Sequence, residues 1–154
     1  MKINFGKHSG KSLEILILKD PSYIKWILAQ TSPTGEMAVI KSHAKKLIAI
    51  FDAKPIINKN CWAFRDCHNK ATKLTVYRDN LDPYWWCDTC DPYQTGANPG
   101  KLQSPVHYVS ALEHVETFCS DKKSSHSEII KTIAIAKGLP MRVGEAQAQN
   151  FFYP

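Results

Sequence analysis

The sequence predicts an α+β protein in three segments. Residues 1–55 form a small basic α/β module, residues 56–100 carry cysteine-framed β-hairpins, and residues 101–154 supply C-terminal helices that pack on the rest. Three observations lead there. In the outer segments, apolar residues recur at helical spacing behind proline-marked starts. Between them lie two short runs rich in β-formers, Lys73–Tyr77 and Tyr84–Trp86, separated by the turn-rich stretch Asp79–Pro83. Four of the five cysteines frame those runs.

Taken in order, Lys2–Phe5 alternates and reads as a short strand, and Gly6–Lys11 as a glycine-bounded turn rich in donors. Ser12–Lys19 is apolar around Glu14 and suits either a second strand or a short helix. Asp20-Pro21 starts a helix, with a carboxylate to cap it and proline in its first turn. Tyr23, Trp26 and Ile27 share one face of it, which is expected to be core. Ser32-Pro33 opens the next helix, with Met37, Ile40, Ala44, Leu47, Ile48 and Phe51 on one side and Lys41, Lys45 and Lys46 on the other. Asp91–Gly100 reads as a linker or wrapped loop. Ser104-Pro105 starts a helix with Tyr108, Ala111, Leu112, Val115 and Cys119 inward. Ser125–Glu128 has the form of a capping box for another, stopped by Gly138 and followed by a last helix over Ala146–Phe152.

The cysteine spacing points to a metal. Cys87-Asp88-Thr89-Cys90 places two thiolates on one tight turn, and Cys61 and Cys67 can be presented together by a wider loop. Four sulfurs around a hairpin suit a closed tetrahedral Zn2+ site, a zinc ribbon in outline, which scaffolds and leaves no position open for a substrate. His68, directly after Cys67, is the alternative ligand. With an odd number of cysteines and no leader pattern, disulfides are not expected, and the setting reads as intracellular, cytoplasmic and reduced. No apolar run approaches the length of a membrane span.

Charge adds a partner class. The net charge is +6, and residues 1–60 hold ten lysines against four acids while the remainder is nearly balanced. A basic module beside a neutral one suits a polyanion, nucleic acid and DNA before RNA. Gly6–Ser12 imitates a phosphate-binding P-loop, but three residues separate its glycines where four are needed.

The pattern Ile3-x-Phe5-Gly6-Lys7-His8-x-Gly10-Lys11-x-Leu13, followed by Asp20-Pro21-x-Tyr23-Ile24-x-Trp26-Ile27-Leu28, resembles the small C-terminal domain of exonuclease X-type proteins, a pattern shared by stand-alone and phage-borne relatives. The resemblance covers residues 3–28 and implies an accessory role in DNA metabolism, by contact with DNA or with a DNA-processing protein. The family's exonuclease residues belong to a domain absent here, so no catalytic role carries over. The expected nucleic-acid contacts are Lys7, His8, Lys11, Lys41, Lys45 and Lys46 on phosphates, with Trp85 or Trp86 as a stacking surface. Arg142 joins them through Leu139-Pro140…Val143-Gly144, which approaches a helix-hairpin-helix pattern with one inserted residue.

Three other readings compete. A protein-interaction adaptor or inhibitor would use exposed aromatics. Gln147–Phe152 has some of the character of a sliding-clamp peptide, with Asn150 where Leu or Met belongs. Cys67-His68-Asn69-Lys70 is similar to the start of a metal-dependent HNH nuclease motif, but Asn80, Asn98 and His107 do not supply its remainder convincingly.

Overall fold

The computed structural model describes residues 1–62, 67–77, 80–90 and 102–154. The expected linker Asp91–Gly100, with Tyr93 and Asn98, and Phe64 lie outside them. Six α-helices and a three-stranded antiparallel sheet make an α+β fold.

Chain entry differs from expectation. Lys2 forms a single bridge to Ser12 in place of a strand, and Gly6–His8 is a 3-10 turn. The ambiguous stretch resolves as helix α1, Leu13–Lys19, because the Ser12 hydroxyl accepts from the Ile15 amide and satisfies a free first-turn donor. Asp20 caps α2, Pro21–Ala29, in the same way, with proline in the first turn. Helix α3, Gly35–Ala53, begins two residues beyond Pro33. Helix α4 spans Tyr108–Phe118, and its start is closed by the His107 amide donating to Ser110 Oγ. Helix α5, Lys123–Ala136, begins before the expected capping box, so Ser125 and Glu128 lie within it. The reversal ahead of α5 is made by Ser120 and Asp121, both at positive φ, and the Asp121 carboxylate is held by His126 one turn into the helix. Helix α6 is Glu145–Phe152.

The helices from the two ends of the chain share one core. Helix α1 packs against α2, α3, α5 and α6, and Phe51, Tyr108, Ile17, Ile24, Ile129 and Ile130 are fully buried. Each such side chain contributes roughly 1.5–3 kcal/mol. Two polar groups inside are paired with backbone: Tyr108 Oη donates to the Ile17 carbonyl at 2.8 Å, and buried Lys137 donates to the Phe51 carbonyl at 2.8 Å, capping α3. Burial opposes ionisation of Glu14, but its own backbone amide, His43 at 3.2 Å and Tyr153 at 2.9 Å outweigh that and hold it below the usual carboxylate range. Phe151 and Phe152 are buried, so the clamp-peptide reading of the tail fails: its anchors are core.

The sheet has the order β2-β1-β3, from Tyr84–Trp86, Lys73–Tyr77 and Leu102–Gln103. The predicted hairpin pairs Leu74 with Trp85 and Thr75 with Tyr84. Ala71, Leu74, Val76 and Trp85 extend the helical core into the sheet.

Candidate metal centre

A second short ladder closes the wide cysteine loop. Cys61 N–H donates to the Asn69 carbonyl and Ala71 N–H to the Lys59 carbonyl, both at 2.9 Å, around a bridge between Asn60 and Lys70. That ladder is stitched to the hairpin: Trp62 N–H donates to the Trp85 carbonyl and Thr72 N–H to the Trp86 carbonyl, each at 2.8 Å. Cys87 and Cys90 leave β2 in the next turn, opposite this loop.

The four sulfurs of Cys61, Cys67, Cys87 and Cys90 consequently lie within 4.8 Å of one another. Cys67 Sγ is 3.9 Å from Cys87 Sγ and 3.8 Å from Cys90 Sγ. A tetrahedron with metal–sulfur bonds of about 2.3 Å has edges of about 3.8 Å. Two disulfides would instead need sulfurs about 2.05 Å apart. The donor set therefore fits a metal ion, and none of its four thiols is in a disulfide. Hydrogen bonds reinforce one ligand: the Thr89 hydroxyl at 3.3 Å, then the Thr89 amide and Asn69 Nδ2 at 3.7 Å, bring Cys87 down to about 5. Cys90, facing the Cys87 sulfur first and the other sulfurs after it, is pushed up to about 12.

His68 stands outside the sulfur group and is exposed, while Cys67 is inside it. Among the described residues, the four cysteines are the one group of three or more His, Cys, Asp or Glu placed to hold a metal. Cys119 is half-buried at the end of α4, not a core residue within it.

Trp85 and Trp86 do not form a stacking surface; both are buried. They face opposite sides of β2, and each side is covered. Trp85 joins the core with Lys59 over its ring. Trp86 donates to Thr75 Oγ1 at 2.8 Å and lies against Trp62, centroids 5.9 Å apart. The exposed tryptophans are Trp62, at 61% exposure, and Trp26, at 48%. The core expectation for Trp26 fails because α2 buries its Ile24–Ile27 stripe, leaving Tyr23 at the edge and Trp26 outside.

His8 is also buried and does not present its ring to a ligand. Its Nε2 lies 3.1 Å from Asp20 Oδ2, though without the alignment of a hydrogen bond. Burial lowers its pKa; Asp20 opposes this, while the charges of Lys7, Lys11 and Lys123 add to it. Lys123 pairs with Asp20 at 3.5 Å beside this ring, and Lys7 and Lys11 flank His8 in the Gly6–Lys11 turn. From it an aromatic ladder leads outward: His8 to Tyr23 at 4.3 Å, then Tyr23 stacked on Trp26 at 5.6 Å. Lys45 and Lys46 are exposed on α3 outside this group, and Lys41 on the same helix donates to the Gln30 carbonyl. Arg142 is exposed between α5 and α6. The sequence reading missed Lys123 and the outward position of Trp26. Only the packing of α5 against α2 places that lysine beside the Gly6–Lys11 turn.

In comparisons with known proteins, no family model, curated protein or solved structure matched the chain. No helix of the described residues is long and apolar enough to cross a membrane.

Proposed function

We propose that this chain is a non-catalytic, zinc-containing accessory protein of DNA metabolism that binds nucleic acid, DNA before RNA, through the surface around Lys7, Lys11, Lys123 and Trp26. The observation that carries the reading is an outward-facing ring stacked on a second ring that leads to the lysine-flanked His8 turn, where Lys123 meets Asp20. Phosphates pair with lysines without regard to sequence, and an exposed indole accepts a base of any identity. That combination suits a single strand, or an unpaired end, better than an intact duplex whose bases are already stacked.

Zinc is the metal we assign. Four thiolates at tetrahedral spacing suit it, and ligation by all four leaves no open position, so its work is to hold the loop and the hairpin together. The test is a binding panel of single- and double-stranded DNA and RNA at two salt concentrations. Single strands should bind tightest, with affinity falling steeply as salt rises. Lys7→Ala and Lys11→Ala should each flatten the salt slope by about 0.7 for a single strand. No affinity for any nucleic acid at low salt sinks this reading. Divalent-ion-dependent cleavage that His68→Ala abolishes would replace it with the nuclease reading.

A further inference from the structure

We propose that the groove between α1, α5 and the α5–α6 connection is a docking site for an acidic peptide carrying one bulky apolar side chain. The groove measures about 500 Å³. Its floor is aliphatic, from Leu18, Leu139 and Val143, with Leu18 and Leu139 each only 4% exposed. Its rim is cationic, from Lys19, Lys131 and Arg142, and no Asp or Glu lines it. The carboxylates nearest along the chain are otherwise placed: Asp20 caps α2 and faces His8 and Lys123. Glu145 bonds the Ser12 backbone and hydroxyl, and Glu128 is exposed on α5 without lining the groove.

This pattern separates the site from the Trp26 surface. No aromatic ring lines the groove, so a base has nothing to stack on, whereas an aliphatic floor is suited to a leucine- or phenylalanine-sized side chain. Three cations without a counter-charge favour an anionic partner by attraction and disfavour a basic one. The wall is also peptide-like. Between Pro140 and Gly144 the chain is not in a helix or strand, and the amides of Met141, Arg142 and Val143 make no hydrogen bond among the described residues. Those donors can meet the carbonyls or terminal carboxylate of an extended segment, which an alkyl chain does not offer. Met141, at 68% exposure, forms a flexible lip that adapts to the inserted side chain. Gly138 fixes this wall, since its φ of +108° allows α5 to end and the chain to turn back over Leu18.

The test uses the intact protein and a fluorescein-labelled peptide of four acidic residues followed by phenylalanine, read by polarisation. Lys131→Glu together with Arg142→Glu should weaken binding on the order of ten-fold. Met141→Asp, which changes only an exposed side chain, should weaken it as well. Lys7→Ala with Lys11→Ala should leave it unchanged, while lowering nucleic-acid affinity if the reading above holds, so the two proposals fail separately. Replacing the peptide's phenylalanine with serine should abolish binding, and single-stranded DNA should not displace the peptide. The proposal is overturned by no binding, by equal binding of the serine peptide, by insensitivity to the groove variants, or by displacement with DNA.

Discussion

The helical body and the cysteine-closed sheet solve the same problem by different means. The body hides large side chains in a continuous core and pairs several of its interior polar groups, among them Tyr108, Lys137 and Glu14. The sheet has strands of five, three and two residues. Its remaining rings, Trp62, Tyr77, Tyr84 and Trp86, pack mainly edge-on against one another. Strands that short are marginal alone, and burial of Trp85 and Leu74 on the helices fixes only one face. The four sulfurs are placed to cross-link the rest through a metal ion. Folding energy in one region is spread over dozens of contacts, and in the other it is concentrated at one point.

The largest expected effect follows from that concentration. Thiolate ligation of a structural metal supplies on the order of 10 kcal/mol to a small module. Cys87→Ser or Cys90→Ser, or removal of the metal by a chelator, should expose the amides of residues 59–62, 69–77 and 84–90 to hydrogen exchange while α1, α3 and α5 remain protected. Elemental analysis should find one zinc per chain. Metal-free protein with unchanged protection in the sheet would erase the contrast.

The same contrast governed what could be read from the sequence. The four ligands and the hairpin were legible because CxxC spacing, β-formers and turn residues are local signals, and the structure realises each of them locally. Helix interiors were legible for the same reason. Helix starts were less so: Ser125–Glu128 has the letters of a capping box, but tertiary packing and the Asp121–His126 contact begin α5 earlier. Side-chain exposure was the least legible. Trp85 and Trp86 look like a free aromatic pair until Trp62 and the core cover them, and Trp26 looks buried until Ile24 and Ile27 take the inner face. The cover on Trp86 comes from a ring 24 residues away, and which of α2's two apolar stripes turns inward is decided by the helices it packs against.

The body should fail differently when damaged. Phe51→Ala opens a cavity beside Tyr108, Phe151 and the Lys137 ammonium, which lies 4.7 Å from the ring centroid. It should cost about 3–5 kcal/mol in denaturant unfolding. Zinc content should remain at one per chain in the folded fraction. Loss of zinc in parallel with helix stability would mean that the two regions unfold as one unit.

The two exposed tryptophans decide which region meets nucleic acid. Trp26→Ala should cost about 1–3 kcal/mol in affinity for a single strand with little change in melting, since nearly half the ring is already in water. Trp62→Ala should leave that affinity unchanged and loosen the sheet, because the ring covers Trp86 and Tyr84. The reverse outcome moves the interface onto the sheet.

Acid gives the smallest and most graded separation. His8 and His114 are both buried in the body, and burial holds each below the ordinary histidine value. For His8 the surrounding lysines add to this against Asp20, and for His114 the Tyr77 carbonyl offsets it only in part. In the unfolded chain each titrates near about 6.5. As pH falls below that value, the unfolded state takes up protons that the folded state refuses, so stability declines until the folded-state values are reached. Above about 6.5 neither state binds a proton at these rings, and they contribute no slope. The helical denaturation midpoint should therefore drop on acidification from pH 7 towards about 5.5, and the double variant His8→Gln, His114→Phe should flatten that drop. A coordinating cation keeps its thiolates deprotonated, so a zinc-release dye should register little until more acid conditions. A midpoint that rises on acidification, or zinc lost ahead of the helical change, would place the acid-sensitive groups in the sheet instead of the body.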